Sequence, residues 1–191
     1  MNTEHQHRKN RGRPISLNSY ETVRLERPKA RENIEITVKS GVIRIAGNQS
    51  NNAKDITLAF ACRADAFKFH YPEGLEITIE AITDTTYLAE SISKIESDTS
   101  DAIMDWIIQL HIVRHEKNLQ KRLMKLFRLL TTRLGKRTPE GLLFEQTLSH
   151  ARIAEIVGST RSTVSRTIST LRKSQQIYMD ELKGQIIIPV D

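Results

Sequence analysis

Hydrophobic positions along the chain change rhythm twice. Between Ile34 and Leu88 apolar and polar residues alternate in short runs: ITVKSGVIRIAG, ITLAF, AFKFHY, LEITIEAI and TTYLAE. A period near two predicts strands, Pro72 and Gly74 break the series, and Ser40-Gly41 carries a hairpin signature. From Thr99 to Lys117 the rhythm becomes helical. Ile103, Trp106, Ile107, Leu110 and Val113 recur at i, i+3, i+4, i+7 and i+10, one continuous stripe. Leu119, Leu123, Leu126, Phe127, Leu130 and Leu134 form the stripe of a second helix, with Gly135 as terminator and Pro139-Glu140-Gly141 as a turn. Leu142–Gln146 reads as a short strand. The expected fold class is α+β: a small β-sandwich or jelly roll, a long helix, and a compact C-terminal domain. The boundaries expected from these rhythms are a polar, aperiodic and flexible tail over 1–28, a β-rich domain over 29–97, a helix over 98–117 and a C-terminal domain over 118–191.

Leu148–Leu171, LSHARIAEIVGSTRSTVSRTISTL, reads as two short helices joined at a glycine. Ile153, Ile156 and Val157 give the first helix its apolar side. Ala154 is small where two helices approach closely. Gly158 stands where a turn favours positive φ, which glycine adopts at little cost. Thr160 suits an N-cap, because its hydroxyl accepts from free N–H groups of the first turn. Val164, Ile168 and Leu171 then repeat at i, i+4 and i+7.

Opposite that stripe the second helix begins with arginines and hydroxyls. That is the pattern of a helix-turn-helix, whose second helix enters the major groove of DNA. Arg161, Ser162, Ser165 and Arg166 fall within an arc of about 140° at about 100° per residue, and are the expected base-reading residues. An arginine can give guanine O6 and N7 a bidentate pair. Ser159, Thr160, Thr163 and His150, at the two helix starts, are expected on phosphates. Ile177–Met179 and Gln185–Ile188 flank Asp180–Gly184 as a hairpin, with Lys183 at its tip as a further phosphate contact or part of a simple cap.

Charge adds a partner class. The net charge is +6, which suits DNA without proving it. The segment Arg114–Arg137 carries nine lysines and arginines against Glu116 alone, most of them expected on a solvated helix face. In the tail, Arg11-Gly12-Arg13-Pro14 resembles the core of an AT-hook, but four residues are a weak signal and a generic basic tail is the favoured reading.

IAEIVGSTRSTVSRTISTLRKSQQI resembles the winged-helix domain of the cyclic-AMP receptor protein and fumarate–nitrate regulator (CRP/FNR) superfamily. GSTRSTVSR is especially similar to the recognition segment of that superfamily's global nitrogen regulators. The resemblance covers about Leu119 to Val190. It implies a cupin-like sensory domain and a helix that runs along its twin in a homodimer. On that basis Ile103, Trp106, Ile107, Leu110 and Val113 are expected at the dimer interface, although the stripe alone fits packing on the chain's own β-domain too. The family's half-site pattern places Arg161, Ser162 and Arg166 on bases, Ser162 departing from the common glutamate. Half-sites one helical turn apart, about 34 Å, then predict a pseudo-palindromic site. RNA polymerase enters as a further partner by the same resemblance. The family's cyclic-nucleotide cassette has no counterpart in AFACRADAFKFHYPEG, so no cyclic nucleotide is expected.

Several classes are disfavoured. There is no GxGxxG, Walker P-loop or GxSxG elbow, so the chain does not read as an enzyme. No apolar run approaches 18 residues, so no membrane span is expected. A lone Cys62 excludes an internal disulfide framework; with a polar, basic N-terminus, this fits the cytoplasm. His111 and His115 lie at i, i+4 but lack HExxH and an obvious third ligand, so neither metal nor cofactor is expected. Two other functions remain open: an interaction module whose winged helix is a docking surface, and an RNA-binding winged helix.

Overall fold

The computed structural model describes residues 12–28, 33–49, 55–94, 102–145, 148–180 and 182–189. The chain forms two compact units, Met1–Ile107 and Ile108–Asp191.

Among its described residues the first unit holds eight strands: β1 (Ile15–Leu17), β2 (Thr22–Arg24), β3 (Asn33–Ser40), β4 (Val42–Gln49), β5 (Ile56–Cys62), β6 (Ala66–His70), β7 (Leu75–Ala81) and β8 (Thr85–Ile92). They build two antiparallel four-stranded sheets, ordered β1-β8-β3-β6 and β2-β7-β4-β5. In the first sheet the register sets Ile34 opposite Phe69, Ile36 opposite Phe67 and Val38 opposite Tyr87. In the second it sets Ile43 opposite Ala61 and Ile45 opposite both Ala59 and Ile79. All of these side chains are buried, and full burial of an isoleucine contributes about 1.5–3 kcal/mol before the entropy of ordering it.

Two sequence expectations are corrected here. Ser40-Gly41 does not close a hairpin: β3 and β4 belong to different sheets. Gly41 is a corner instead. Its φ is +79°, and a Cβ there would lie 2.4 Å from the Asp84 carbonyl oxygen. Val42 N–H, just beyond, donates to Thr83 Oγ1. A corner and a hairpin leave the same alternation on either side of a glycine. The second correction concerns the tail, expected to be aperiodic to Pro28. Ile15–Leu17 pairs with Thr85–Tyr87 and Thr22–Arg24 with Thr78–Glu80, so that its later part adds one strand to each sheet. Three-residue strands are too short to show a period. The hook-like Arg11 lies outside the described residues, as do His5 and His7, and Gly12–Pro14 precedes β1 directly.

On the outward face of the second sheet Arg44 stands between Glu80 and Phe60 in the register. It is 1% exposed. Its Nε donates to Glu80 and its Nη groups to Thr57 and Asp55, the pairing a buried guanidinium requires. Trp106 meets the Phe60 ring edge-on, centroids 5.6 Å apart. It belongs to helix α1 (Ala102–His115).

The second unit contains α2 (Leu119–Leu134), β9 (Lys136–Thr138), β10 (Gly141–Phe144), α3 (His150–Val157), α4 (Arg161–Lys173), β11 (Tyr178–Asp180) and β12 (Gln185–Ile188). Asn118 caps α2 by accepting from Lys121 N–H. Leu123, Leu126, Phe127 and Leu130 of α2 are buried with Ile153, Val157, Val164, Ile168 and Leu171 of α3 and α4. The sheet runs β11-β12-β10-β9. The expected wing hairpin and the strand after Pro139 are present; β9, only three residues long, is an addition.

Candidate nucleic-acid interface

Local chemistry shapes the turn between α3 and α4. Ser149 caps α3 by accepting from Arg152 N–H, and the helix ends at Gly158, φ 66° and ψ 53°. Ser159 N–H returns to the Ala154 carbonyl, which satisfies a group that helix ends leave orphaned. Thr160 Oγ1 accepts from Thr163 N–H and starts α4. Two basic residues outside the pair reach this turn, and one of them is bonded to it. Arg122 Nη1 donates to the Val157 carbonyl at 2.6 Å and its Nε to the Glu116 carbonyl at 2.8 Å. The Arg114 guanidinium lies over Gly158, where a Cβ would meet its Nε at 3.1 Å. The sequence reading missed both, because a contact with a turn so distant along the chain leaves no local signal.

Helix α4 buries Val164, Ile168 and Leu171 and turns Arg161, Ser162, Thr163 and Arg166 outward, all exposed. Among the described residues neither Arg161 nor Arg166 has an ion-pair partner. Two guanidinium groups one turn apart therefore stand free at the start of a capped helix, near the partial positive charge of its N-terminus.

Other expected contacts are placed differently. Ser165 is half-buried, and its Oγ donates to the Arg161 carbonyl at 3.0 Å. His150 Nδ1 lies 2.8 Å from the same Ser165 hydroxyl. A serine hydroxyl has one proton; with that proton on the Arg161 carbonyl, the imidazole Nδ1–H is the donor. Ser165 is thus a clasp between α3 and α4, and this corrects its expected place among the outward base-reading groups. Thr160 is likewise engaged, as the N-cap. Ser159 is half-buried, and Lys183 is exposed at the wing tip, 3.9 Å from Asp180. Asp180 also accepts from the Leu182 and Lys183 N–H groups, which folds the tip.

The expected interface stripe on α1 is divided. Ile103, Trp106, Leu110 and Val113 are buried within the chain itself, so they are not available to a twin. Ile107 is 36% exposed and stands with Met104, Ile108 and Ile112, each about half exposed, on a second apolar row. The helix is apolar on both faces, and the stripe read from the sequence is mostly the inward one.

Burial, reinforced by the Asp65 carboxylate, pushes the Cys62 thiol up to about 11. Burial alone pushes the Tyr87 phenol above its ordinary range. Among the described residues no three His, Cys, Asp or Glu side chains of one chain converge as a metal site, and no helix is long and apolar enough to cross a membrane.

Comparison with known proteins agrees with this geometry. Residues 121–189 match the Crp-like helix-turn-helix domain. The global nitrogen regulator of Synechococcus elongatus is 31% identical over 91 residues, 48% of this chain and 40% of that protein. A probable transcriptional activator of Rhizobium leguminosarum bv. viciae is 29% identical over 136 residues, 71% of this chain and 54% of the activator. The chain thus spans about half or less of these curated relatives. Among solved structures, FixK2 from Bradyrhizobium japonicum superposes with a TM-score of 0.67 at 19% identity, covering 92% of this chain and 91% of the other. A CRP-family transcriptional regulator from Thermus thermophilus gives 0.65 at 19% identity and 92% of both chains. The family match lies across the helix-turn-helix head, while likeness of fold extends over nine-tenths of the chain. The head thus matches the Crp-like helix-turn-helix domain, and the chain as a whole has the fold of these transcriptional regulators.

Proposed function

We propose that the chain is a sequence-specific, DNA-binding transcription regulator that acts as a homodimer on a pseudo-palindromic site. The observation that carries this is the outward, unpaired presentation of Arg161 and Arg166 on one arc of α4. Arg161 and Arg166 read base edges in the major groove, and Ser162 tunes the choice between them. Thr163 and Ser159 face phosphates and Lys183 reaches a further one from the wing; His150, its Nδ1–H committed to Ser165, joins them only when Nε2 carries a proton as well. Ser165 and Thr160 act from beneath, holding the helix start in shape. The exposed row Met104, Ile107, Ile108 and Ile112 supports the dimer: a helix apolar on both faces buries the second face only against another element. One recognition helix per subunit then meets half-sites about 34 Å apart. Cytoplasmic residence and contact with RNA polymerase belong to this same reading.

Arg161→Ala is expected to lose about 1–3 kcal/mol of discrimination at one base pair of the half-site. Selection from random duplexes, compared between wild type and variant, reads this directly. Equal weakening on every sequence would assign Arg161 to the phosphates instead, and preference for structured RNA over duplex DNA would overturn the reading as a whole.

A further inference from the structure

The exposed row on α1 does not stay apolar to its end. Met104, Ile108, His111 and His115 are separated by four, three and four residues. That is the alternating spacing of a coiled-coil seam. Ile107 and Ile112 flank it. The first two layers of the seam are Met and Ile, and the last two are histidine. His111 and His115 are both exposed, and their rings meet edge to face with centroids 4.3 Å apart. Among the described residues neither imidazole has a hydrogen-bond partner. Beside them Glu116 is engaged by Lys125 at 2.8 Å, so no carboxylate of this helix end is left over for the histidines.

Two adjacent polar layers at the end of an apolar seam cost stability in a dimer unless something engages them. In a two-fold pair of parallel helices each seam residue faces its own copy. Parallel helices are the arrangement that lets two reading heads meet one face of a duplex. His111 then faces His111 of the twin and His115 faces its own counterpart. The two layers are about 6 Å apart along the axis, four residues at about 1.5 Å each. Four imidazoles converge there, each with a nitrogen lone pair available when neutral. A single chain brings two of them together, and among its described residues no set of three ligands is complete. Imidazole nitrogens in a tetrahedral set of four suit Zn²⁺ and neighbouring late first-row divalent ions.

We propose that His111 and His115 of two chains form an intersubunit site for one late first-row divalent cation, closing the end of the dimer helix next to the DNA-binding head. This rests on the dimer reading above. Metal binding replaces the cost of two histidine layers by coordination across the interface, so the ion and the dimer strengthen each other by linkage.

The test uses the full chain with His5→Ala and His7→Ala, which removes the other closely spaced histidine pair of the sequence. Zn²⁺ and Ni²⁺ chlorides are titrated into metal-free protein by calorimetry, and mass is followed by sedimentation. The expected result is one ion per two chains and a dimer dissociation constant lowered at least tenfold by metal. Both effects disappear in His111→Gln and in His115→Gln, whose circular dichroism and melting without metal match the parent. A dimer that binds no ion, or binds it equally in both glutamine variants, overturns this site and leaves the dimer reading standing. A chain that stays monomeric with and without metal overturns both.

Discussion

Arg122 looks, in the sequence, like one more cation in a basic segment. Its position assigns it differently. The guanidinium is half-buried and satisfies two backbone carbonyls, one of them the Val157 oxygen at the end of α3. Such end carbonyls have no partner within their own helix. Arg122→Met keeps most of the apolar stem and removes both donors. Charged hydrogen bonds contribute about 1.5–3 kcal/mol when buried, so partial exposure places the expected loss nearer about 1–2 kcal/mol. At about 4–8 °C per kcal/mol for a domain of this size, melting of the C-terminal unit falls by several degrees. Duplex affinity measured well below the melting range stays at the parent value. A variant that melts normally but binds duplex with a shallower salt dependence would return Arg122 to the phosphates. Gly158 shows the complementary case: its left-handed φ was legible because it is a property of one residue in one turn.

Helix α1 marks the boundary of what periodicity can tell. The spacing of Ile103, Trp106, Leu110 and Val113 identifies a helix and one apolar face. It cannot tell whether that face meets its own domain or a second copy, because both are apolar surfaces. The second row was also in the sequence, but its histidines hid it from a reading that counted only apolar residues. The same limit applies to Ser40-Gly41, where alternation fixes two strands and leaves their sheet undecided. The reading head was legible because its signals are local: a cap at Thr160, a left-handed turn at Gly158, and a three-residue core stripe on α4. The two rows of α1 give opposite predictions for one kind of substitution. Val113 is 4% exposed, and an aspartate there places a carboxylate without a partner in the interior, at a cost of several kcal/mol. Val113→Asp is expected to destabilise the fold itself, with loss of helical circular dichroism on mild warming. Ile108 is 49% exposed. Ile108→Asp is expected to preserve the circular dichroism spectrum and to halve the mass in sedimentation. A dimer that survives Ile108→Asp would remove this row from the interface.

Across the whole molecule the charge of +6 overstates what is free to meet DNA. Lys125 is paired with Glu116 and Lys136 with Glu145, at 2.8 and 2.7 Å. Arg122 holds the turn of the head, and Arg44 is enclosed by carboxylates in the β-unit. What remains directed outward in the head includes Arg161, Arg166 and the wing-tip Lys183. The Lys183 side chain is 71% exposed and its pair with Asp180 is long, an arrangement that holds a lysine weakly. It can therefore exchange the aspartate for a phosphate. Each cation that neutralises a phosphate contributes about 0.9 to the slope of log affinity against log salt. A dimer carries two wings, so Lys183→Ala is expected to reduce the magnitude of that slope by about 1.8. The ratio between specific and non-specific binding should stay unchanged, because a phosphate contact carries no sequence information. Arg161→Ala makes the opposite demand, changing that ratio at one base pair. Measuring both variants across a salt series separates the two kinds of contact, and an unchanged slope for Lys183→Ala would leave the wing as a cap on the domain, its tip clear of the duplex.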